Sequence, residues 1–456
     1  MAELNRREFL DGATRTSAAS VAATTLYLGT QPALAKTANE KVTLGFLGVG
    51  GRGSSLLRGF LQRDDVEVAW LCDPDSRRNA NLSESVREAT GKTPQRVQDY
   101  RRVLDDPSVD AVVVATPDHW HSPLTVFACQ AGKDVYVEKP LSHNIWEGRK
   151  AVEAARKYNR VVQVGTQNRS GDYNLQAIDY ITSGKLGRIP LVKVCNLKPG
   201  GPYRAPAEQP VPPEVDYNLW LGPAQQQAFS EGHFHNNWHY YWEYSGGDMA
   251  NDGVHQLDLA RWVIGKAFPE SAYCHGGNFA FDEDDNETPD TQTATYNFGD
   301  MQLIYEQIGY GDTIRKTDNG VRNSDMFPYW LQNSTRIELY GTEGLMLLGR
   351  HGGGWQVFTK THQRKPQVVE QHYGRMPNAE HFGNFIDCIR TRKTPNADVE
   401  EGHQSAVLVH LANISYRLGG RQLNFDAETE TFTGDAEANQ YLRREQRQEF
   451  AIPDVV

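Results

Sequence analysis

Lys139 and His255 are the two side chains best suited to moving a proton at a hydroxyl group. Lys139 follows the apolar run Asp134-Val-Tyr-Val-Glu138 and precedes Pro140, which fixes the backbone just past a strand end. A fixed ammonium there can bind a hydroxyl and stabilise an alkoxide as charge develops. The competing reading is a surface lysine paired with Glu138. His255 lies in Gly246-Gly-Asp-Met-Ala-Asn251-Asp252-Gly-Val-His255-Gln-Leu-Asp258, at the start of a helix continuing through Leu259–Ile264. A neutral imidazole can take a hydroxyl proton near neutral pH. Asp258, one helical turn on, can orient the ring. The alternative is a structural histidine packing at the helix start.

A second constellation, Gly48-Val49-Gly50-Gly51-Arg52-Gly53, follows the β-type run Val42–Leu47 and opens the helical pattern from Ser54. Strand, glycine turn and helix are the context that gives a G-x-G-x-x-G match meaning. The first glycine makes the turn, the second admits a pyrophosphate, and the third lets helix and strand pack closely. The pyrophosphate then meets the unpaired N–H groups of the helix start. About twenty residues further on, the run Val66–Cys72 ends at Asp73, where a carboxylate holds an adenosine ribose 2′-OH. The acid favours NAD, while Arg77 and Arg78 leave room for the 2′-phosphate of NADP.

His233-Phe-His235-Asn-Asn-Trp238-His239-Tyr-Tyr241-Trp242-Glu-Tyr244 is dense in histidine and aromatic residues. Aromatic faces with hydroxyl-bearing edges suit sugar rings, so Trp238 and Tyr241 are assigned to a substrate wall. The i,i+4 pair His235 and His239 lacks a carboxylate companion, and no metal site is assigned. Asp282–Glu287 lacks the glycine and spaced ligands of a calcium loop. Cys72, Cys129, Cys195, Cys274 and Cys388 are dispersed, with no C-x-x-C spacing, so no disulfide framework is assigned.

These residues need elements to hold them. The chain has 456 residues, long enough for two domains, with 23% charged residues as in ordinary globular proteins. Its net charge of −11 argues against nucleic-acid or anionic-membrane partners. Residues 1–35 combine Arg6-Arg7, a mildly apolar middle and Ala33-Leu34-Ala35, the parts of a twin-arginine export signal. The signal implies a periplasmic protein without a membrane anchor once it is removed. From 42 to 166, strand-like runs (42–47, 66–72, 111–115, 134–138, 161–165) alternate with helical patterns (54–62, 76–90, 122–131, 145–157). This predicts a parallel sheet covered on both faces, with ligands at the carboxyl ends of its strands. Thr116-Pro117-Asp118-His119-Trp120-His121 and Glu138-Lys139-Pro140 fall on those ends. Beyond 166, a helix near 172–184, a strand near 188–196 and a long loop over 198–225 lead to hairpin-linked strands at 293–298, 301–308, 336–340 and 345–348. Helices near 379–392 and 402–418 close this part. The fold class is therefore α/β: a doubly wound parallel sheet (42–166), then an α+β domain with a large, open, mainly antiparallel sheet (167–430), and a tail at 431–456.

Together these motifs resemble the glucose–fructose oxidoreductase / inositol dehydrogenase (Gfo/Idh/MocA) family. The similarity rests on Gly48–Gly53, Ala115-Thr-Pro-Asp-His-Trp-His-Ser-Pro123, Glu138-Lys139-Pro140, Gly253-x-His255-x-x-Asp258, Tyr340-Gly-Thr-Glu-Gly344 and His381-Phe-Gly-Asn-Phe385. Asp216-Tyr-Asn-Leu-Trp-Leu-Gly-Pro223 resembles an exported, sugar-processing branch. The resemblance implies a Rossmann domain, an open-sheet domain used for homo-oligomerisation as a dimer or tetramer, and Lys139 and His255 as the catalytic pair, with Asp258 behind. It implies an NAD(P)-dependent oxidoreductase acting on a sugar or cyclitol hydroxyl. Gly48, Gly50, Gly51, Arg52, Gly53, Asp73, Thr116, Pro117, His121, Glu138, Lys139 and Gln167 are assigned to the cofactor. Arg169, Trp238, Tyr241, Asn251 and His255 are assigned to the substrate. Asn251 departs from the pattern, because many family dehydrogenases carry Asp there and Asn cannot accept a proton. Export implies a tightly held, internally recycled cofactor. An NAD-dependent glycosidase, working by transient oxidation, elimination and re-reduction, is one alternative; a non-catalytic dinucleotide-binding protein is another.

Overall fold

A computed structural model describes residues 41–281, 283–311, 314–359 and 367–456. The export signal read over residues 1–35 lies outside the described residues. Among the described residues the backbone forms one sheet of six strands and one of ten. No described helix is long and apolar enough to cross a membrane.

The first sheet holds β1 (Val42–Leu47), β2 (Val66–Cys72), β3 (Gln95–Val97), β4 (Ala111–Val114), β5 (Asp134–Val137) and β6 (Val162–Val164). All pairs are parallel, in the order β3-β2-β1-β4-β5-β6. The direction reverses between β1 and β4, which opens a crevice at their carboxyl ends. Runs such as Ala111-Val-Val-Val114 are buried on both faces, and this is why they read as continuous apolar segments rather than alternating ones. The short edge strand β3 carries no apolar run and was not legible in advance.

The second sheet is built from β7 (Leu191–Leu197), β8 (Ser271–Gly277), β9 (Thr291–Asn297), β10 (Gln302–Ile308), β11 (Arg336–Tyr340), β12 (Gly344–Gly349), β13 (Trp355–Thr359), β14 (Val368–His372), β15 (Leu423–Asp426) and β16 (Thr431–Phe432). The order is β14-β13-β12-β11-β7-β10-β9-β8-β15-β16, with the central β7–β10 pair parallel and the rest antiparallel. One face packs on helices through Val192, Val194, Ala294, Tyr296, Leu303 and Tyr305. The other carries ion pairs such as Lys193–Glu306 (3.2 Å) and Arg336–Glu338 (2.6 Å).

Packing does not follow chain order. The helix Asn378–Thr391, expected to close the second half, lies against the first sheet. Phe382 and Phe385 meet Phe60 at 4.7 and 6.4 Å between ring centroids, and Phe385 meets Tyr136 at 5.8 Å. The end of the chain, read as a tail, covers the opposite face with Phe450, Ile452 and Val456. The helix Val399–Arg417 is buried around nearly its whole circumference, as a helix between two layers must be. Its Val399 joins the first core, and Leu408, Leu411 and Ala412 join the second.

Phe385 fills the centre of the first of these contacts. Phe385→Ala is expected to destabilise the protein by about 3–5 kcal/mol, read as a lowered midpoint in denaturant titration followed by circular dichroism.

Candidate active site

The glycine turn is shaped by contacts a side chain would block. Gly48 has φ +84°, a backbone most other residues avoid, and a Cβ on Gly53 would sit 2.1 Å from the Gly48 carbonyl oxygen. Gly53 is therefore a packing residue beneath the turn, while Gly48, Gly50, Gly51 and Arg52 line the cavity above it. The helix Gly51–Phe60 makes its first bond from Ser54 N–H to Gly50 oxygen, so the earlier N–H groups lie at the open helix start.

Asp73 stands across the turn. Its carboxylate accepts from Val49 N–H and Asp75 N–H, each at 3.0 Å, and it is 6% exposed. Burial pushes its pKa up to about 6 against the pull of those two bonds. Arg77 is tied to Asp75 at 2.7 Å, and only Arg78 of the two arginines reaches the cavity wall. This cavity, of about 340 Å³, is walled on its apolar side by Leu47, Tyr100, Trp120, Leu219 and Trp220. Leu219 and Trp220 come from the short helix Tyr217–Leu221 within the segment expected to be a long loop. Asp216 caps it by accepting from Leu219 N–H at 2.9 Å. Trp120 Nε1 donates to both Leu219 and Trp220 oxygens at 3.1 Å, fastening this cover to the first domain.

A second cavity, of about 410 Å³, continues from the first through the shared residues Arg52, Ala115, Thr116, Trp238 and Asn251. Lys139, His255, Glu138, His121 and Gln167 line it. Glu138 is paired with Arg52 (2.8 Å) rather than with Lys139, whose Nζ instead donates to the backbone oxygen of Asn251. Two carbonyls bracket the His121 ring, Pro140 at 2.6 Å from Nδ1 and Thr116 at 2.9 Å from Nε2. Gln167 Nε2 donates to the Tyr136 hydroxyl at 3.3 Å.

His255 enters from the second domain, in the first turn of the helix Val254–Val263. One π-helical turn, Met249–Gly253, precedes it and holds Asn251 and Asp252 at the cavity wall. The ring is 6% exposed, and its Nδ1 has no hydrogen-bond partner. Burial holds its pKa well below the ordinary imidazole value, reinforced by the nearby charges of Arg350 and Lys139. Asp252 turns away to an ion pair with Lys198 (3.0 Å) and a second with Lys316.

Three assignments are corrected. Asp258 does not orient His255. Its carboxylate accepts from Arg169 Nε at 2.9 Å and from the Ser405 hydroxyl at 2.7 Å, on the buried side of the helix. Arg169 is consumed by the same pair and by Glu401 (3.0 Å), so it lines neither cavity. Tyr241 also lies off the cavity walls, its hydroxyl 3.0 Å from that of Tyr203. Much of the aromatic stretch around it forms a small core of its own, in which Phe234 and Tyr244 are buried. His235 has φ +66° and sits 2.8 Å from Asp75, so the i,i+4 spacing to His239 is not helical. Among the described residues no cluster of three potential metal ligands occurs.

Other lining residues carried no motif. Lys198, Lys316, Arg322 (at the end of the short helix Asn319–Arg322) and the adjacent pair Arg350 and His351 reach the second cavity from the second domain. The one local signal was the run Arg350-His351-Gly-Gly-Gly354, whose three glycines all have positive φ.

The residues present suit a dinucleotide. The Thr116 hydroxyl oxygen, at the junction of the cavities, is buried with no partner in the protein, and a side chain at Gly53 would fill the turn. Comparison with known proteins agrees. Residues 42–166 match the family model described as "Oxidoreductase family, NAD-binding Rossmann fold" of GFO_IDH_MocA. Residues 203–278 and 343–452 match the corresponding C-terminal alpha/beta domain. The chain is 23% identical to a myo-inositol 2-dehydrogenase of Thermotoga maritima over 82% of its own length and 95% of that protein. It is 28% identical to a glycosyl hydrolase family 109 protein of Shewanella pealeana, over 41% of this chain and 44% of that one. The fold is similar to that of an aldose-aldose oxidoreductase from Caulobacter crescentus (TM-score 0.62, 18% identity, 85% of this chain and 100% of that one).

Asp73 generates a pH dependence. Its raised pKa means that protonation favours the folded, ligand-free state, so its contribution to stability is full at low pH and lost as pH rises through about 6. The ionised carboxylate is the stronger hydroxyl acceptor. NAD affinity is therefore expected to tighten as pH rises through about 6, and Asp73→Asn to remove that dependence, as isothermal titration calorimetry across the range would show.

Proposed function

Since the chain belongs to the Gfo/Idh/MocA oxidoreductase family and carries its NAD-binding Rossmann domain, we propose that it oxidises a hydroxyl of a sugar or cyclitol. The observation that carries this reading is the convergence of Lys139 and His255 on one cavity, continuous with the glycine turn through Thr116 and Asn251. NAD bound along that path would supply the hydride acceptor. The glycine turn, Asp73 and the Thr116 hydroxyl would hold it.

The side chains divide the remaining work. The His255 ring, which lines the cavity and is kept neutral by burial, accepts the hydroxyl proton. The carboxylate of Asp252 favours the imidazolium that results. Lys139 keeps its charge free of an acid partner, because its Nζ is held by the Asn251 carbonyl while Glu138 serves Arg52. Its ammonium can donate to the substrate oxygen and steady the alkoxide. The backbone of Asn251 thus positions the lysine whichever side chain it bears.

The paired arginines Arg6-Arg7 support export to the periplasm with the cofactor already bound and recycled in place. The uncovered face of the second sheet supports a homo-oligomer. A second reading, an NAD-dependent glycosidase, is favoured by the similarity to the family 109 protein. In it, oxidation of one hydroxyl would acidify the neighbouring C–H, the glycosidic group would be eliminated, water would add across the resulting double bond, and re-reduction of the ketone would complete the hydrolysis.

Protein purified without added nucleotide and then heat-denatured should release a nicotinamide nucleotide. A screen of sugars and cyclitols should raise the reduced-nicotinamide absorbance; phenol release from aryl glycosides without net reduction would instead establish the glycosidase. His255→Ala is expected to lower kcat/KM at least ~100-fold while nucleotide content is kept, and undiminished turnover would remove His255 from the mechanism. As burial holds His255 neutral, kcat at saturating NAD and substrate should stay level as pH falls through the ordinary imidazole value of about 6.5, declining only well below it.

A further inference from the structure

The far wall of the Lys139–His255 cavity has more positive charge than the chemistry of a neutral sugar requires. Arg350 is among the residues that line it, on the turn between β12 and β13, and is 5% exposed. Its Nε is buried without a hydrogen-bond partner, and its Nη1 finds only the Met376 sulfur at 3.9 Å, a weak acceptor. Among the described residues no carboxylate lies within ion-pair distance of it. Burial pushes its pKa down to about 10, which leaves it charged at neutral pH.

The acids around the cavity are already committed. Glu138 is held by Arg52, Asp252 serves Lys198 and Lys316, with Asp248 a second partner of Lys198, and Asp118 accepts from the Ser245 hydroxyl. Arg322, also on the wall, spends its Nε on the Thr317 carbonyl at 2.7 Å. A guanidinium in a protein interior is costly without a counter-charge, and its planar fork suits an oxyanion held by two parallel bonds. His351, beside Arg350, is kept neutral by burial and ties its Nδ1 to the Thr335 hydroxyl at 2.8 Å, so it stiffens the turn without adding charge.

We infer that the substrate is an anionic sugar, its oxyanion gripped by Arg350 with Lys316 and Arg322 at the flank, and its reacting hydroxyl turned toward Lys139 and His255. This rests on the oxidoreductase reading and narrows its substrate class. A sugar carboxylate and a sugar phosphate ester both present the required oxyanion. The cavity's volume of about 410 Å³, toward the small end of ligand sites, fits a single sugar unit carrying either group.

The test uses the NAD-loaded full chain with hexuronates, aldonates, hexose 6-phosphates and the parent neutral hexoses, scored by calorimetric binding and by nicotinamide absorbance. At least one anionic sugar should bind roughly ten- to a hundredfold tighter than its neutral parent, with a preference that weakens as sodium chloride is raised. Which anionic series shows it identifies carboxylate or phosphate. Arg350→Gln should collapse the anionic-to-neutral preference by about tenfold or more, with NAD affinity and melting temperature as checks on folding. Should that variant not fold, Lys316→Gln, on a half-exposed side chain, should reduce the same preference severalfold. Neutral sugars bound and oxidised as well as every anionic one would overturn the inference and leave the oxidoreductase reading intact. So would an Arg350→Gln variant that weakens both classes alike. If the protein neither holds a nicotinamide nucleotide nor reduces one with any sugar, the oxidoreductase reading fails, and this inference with it.

Discussion

The contact between the Lys139 ammonium and the backbone oxygen of Asn251 is where the two halves of the chain become one site. Lys139 stands at the end of a strand in the first sheet, and Asn251 in a π-helical turn of the second domain. Neither domain alone brings Lys139 and His255 to one cavity. The alignment depends on packing that ignores chain order: the helix Asn378–Thr391 and the terminal residues Phe450, Ile452 and Val456 clamp the first sheet from both faces. The helix Val399–Arg417 runs between the two cores. A site divided between two domains keeps sub-ångström geometry only if its supports are rigid, and these supports are close-packed side chains.

Electrostatics follow the same division. The buried carboxylate of Asp258, with Arg169, Ser405 and Glu401 around it, anchors the helix that carries His255 from its buried side. In the turn before that helix, Asp252 pairs with Lys198 and Lys316, Asp248 pairs with Lys198 as well, and Arg350 has no ion pair among the described residues. One pair of charges positions the helix, and the imbalance at the cavity wall characterises the cavity. The low dielectric of the interior strengthens both effects.

Asn251 departs from the family pattern, and its side chain and backbone make separate contacts. The side chain at that position cannot relay a proton, yet the backbone oxygen holds Lys139. The side-chain amide, at 3.4 Å from Asp248, serves the local turn. The loss of an acid there removes a negative charge next to the ammonium, in keeping with a cavity whose overall balance is positive.

The parallel sheet was legible because all its strands but the edge strand β3 are short apolar runs bounded by turn residues, and the glycine turn because only glycine fits where Gly48 and Gly53 approach. Strands β8 and β14 were not legible: Ser-Ala-Tyr-Cys-His-Gly-Gly has no strong alternation, and Val368–His372 is a partly exposed edge strand. The residues Asp73, Lys139 and His255 could be read from local motifs, since their positions are set by the strand or helix that each one follows or opens. The partners of those residues could not. Whether Asp258 faces His255 or Arg169, whether Tyr241 faces a cavity or Tyr203, and that Arg350 lies near His255 are matters of which segments meet across long separations in the chain. Local sequence dictates backbone preference and apolar period within a few residues. Only the closed tertiary structure, in which each buried polar group takes the nearest partner on another element, decided how these side chains are paired and which charge was left to face the cavity.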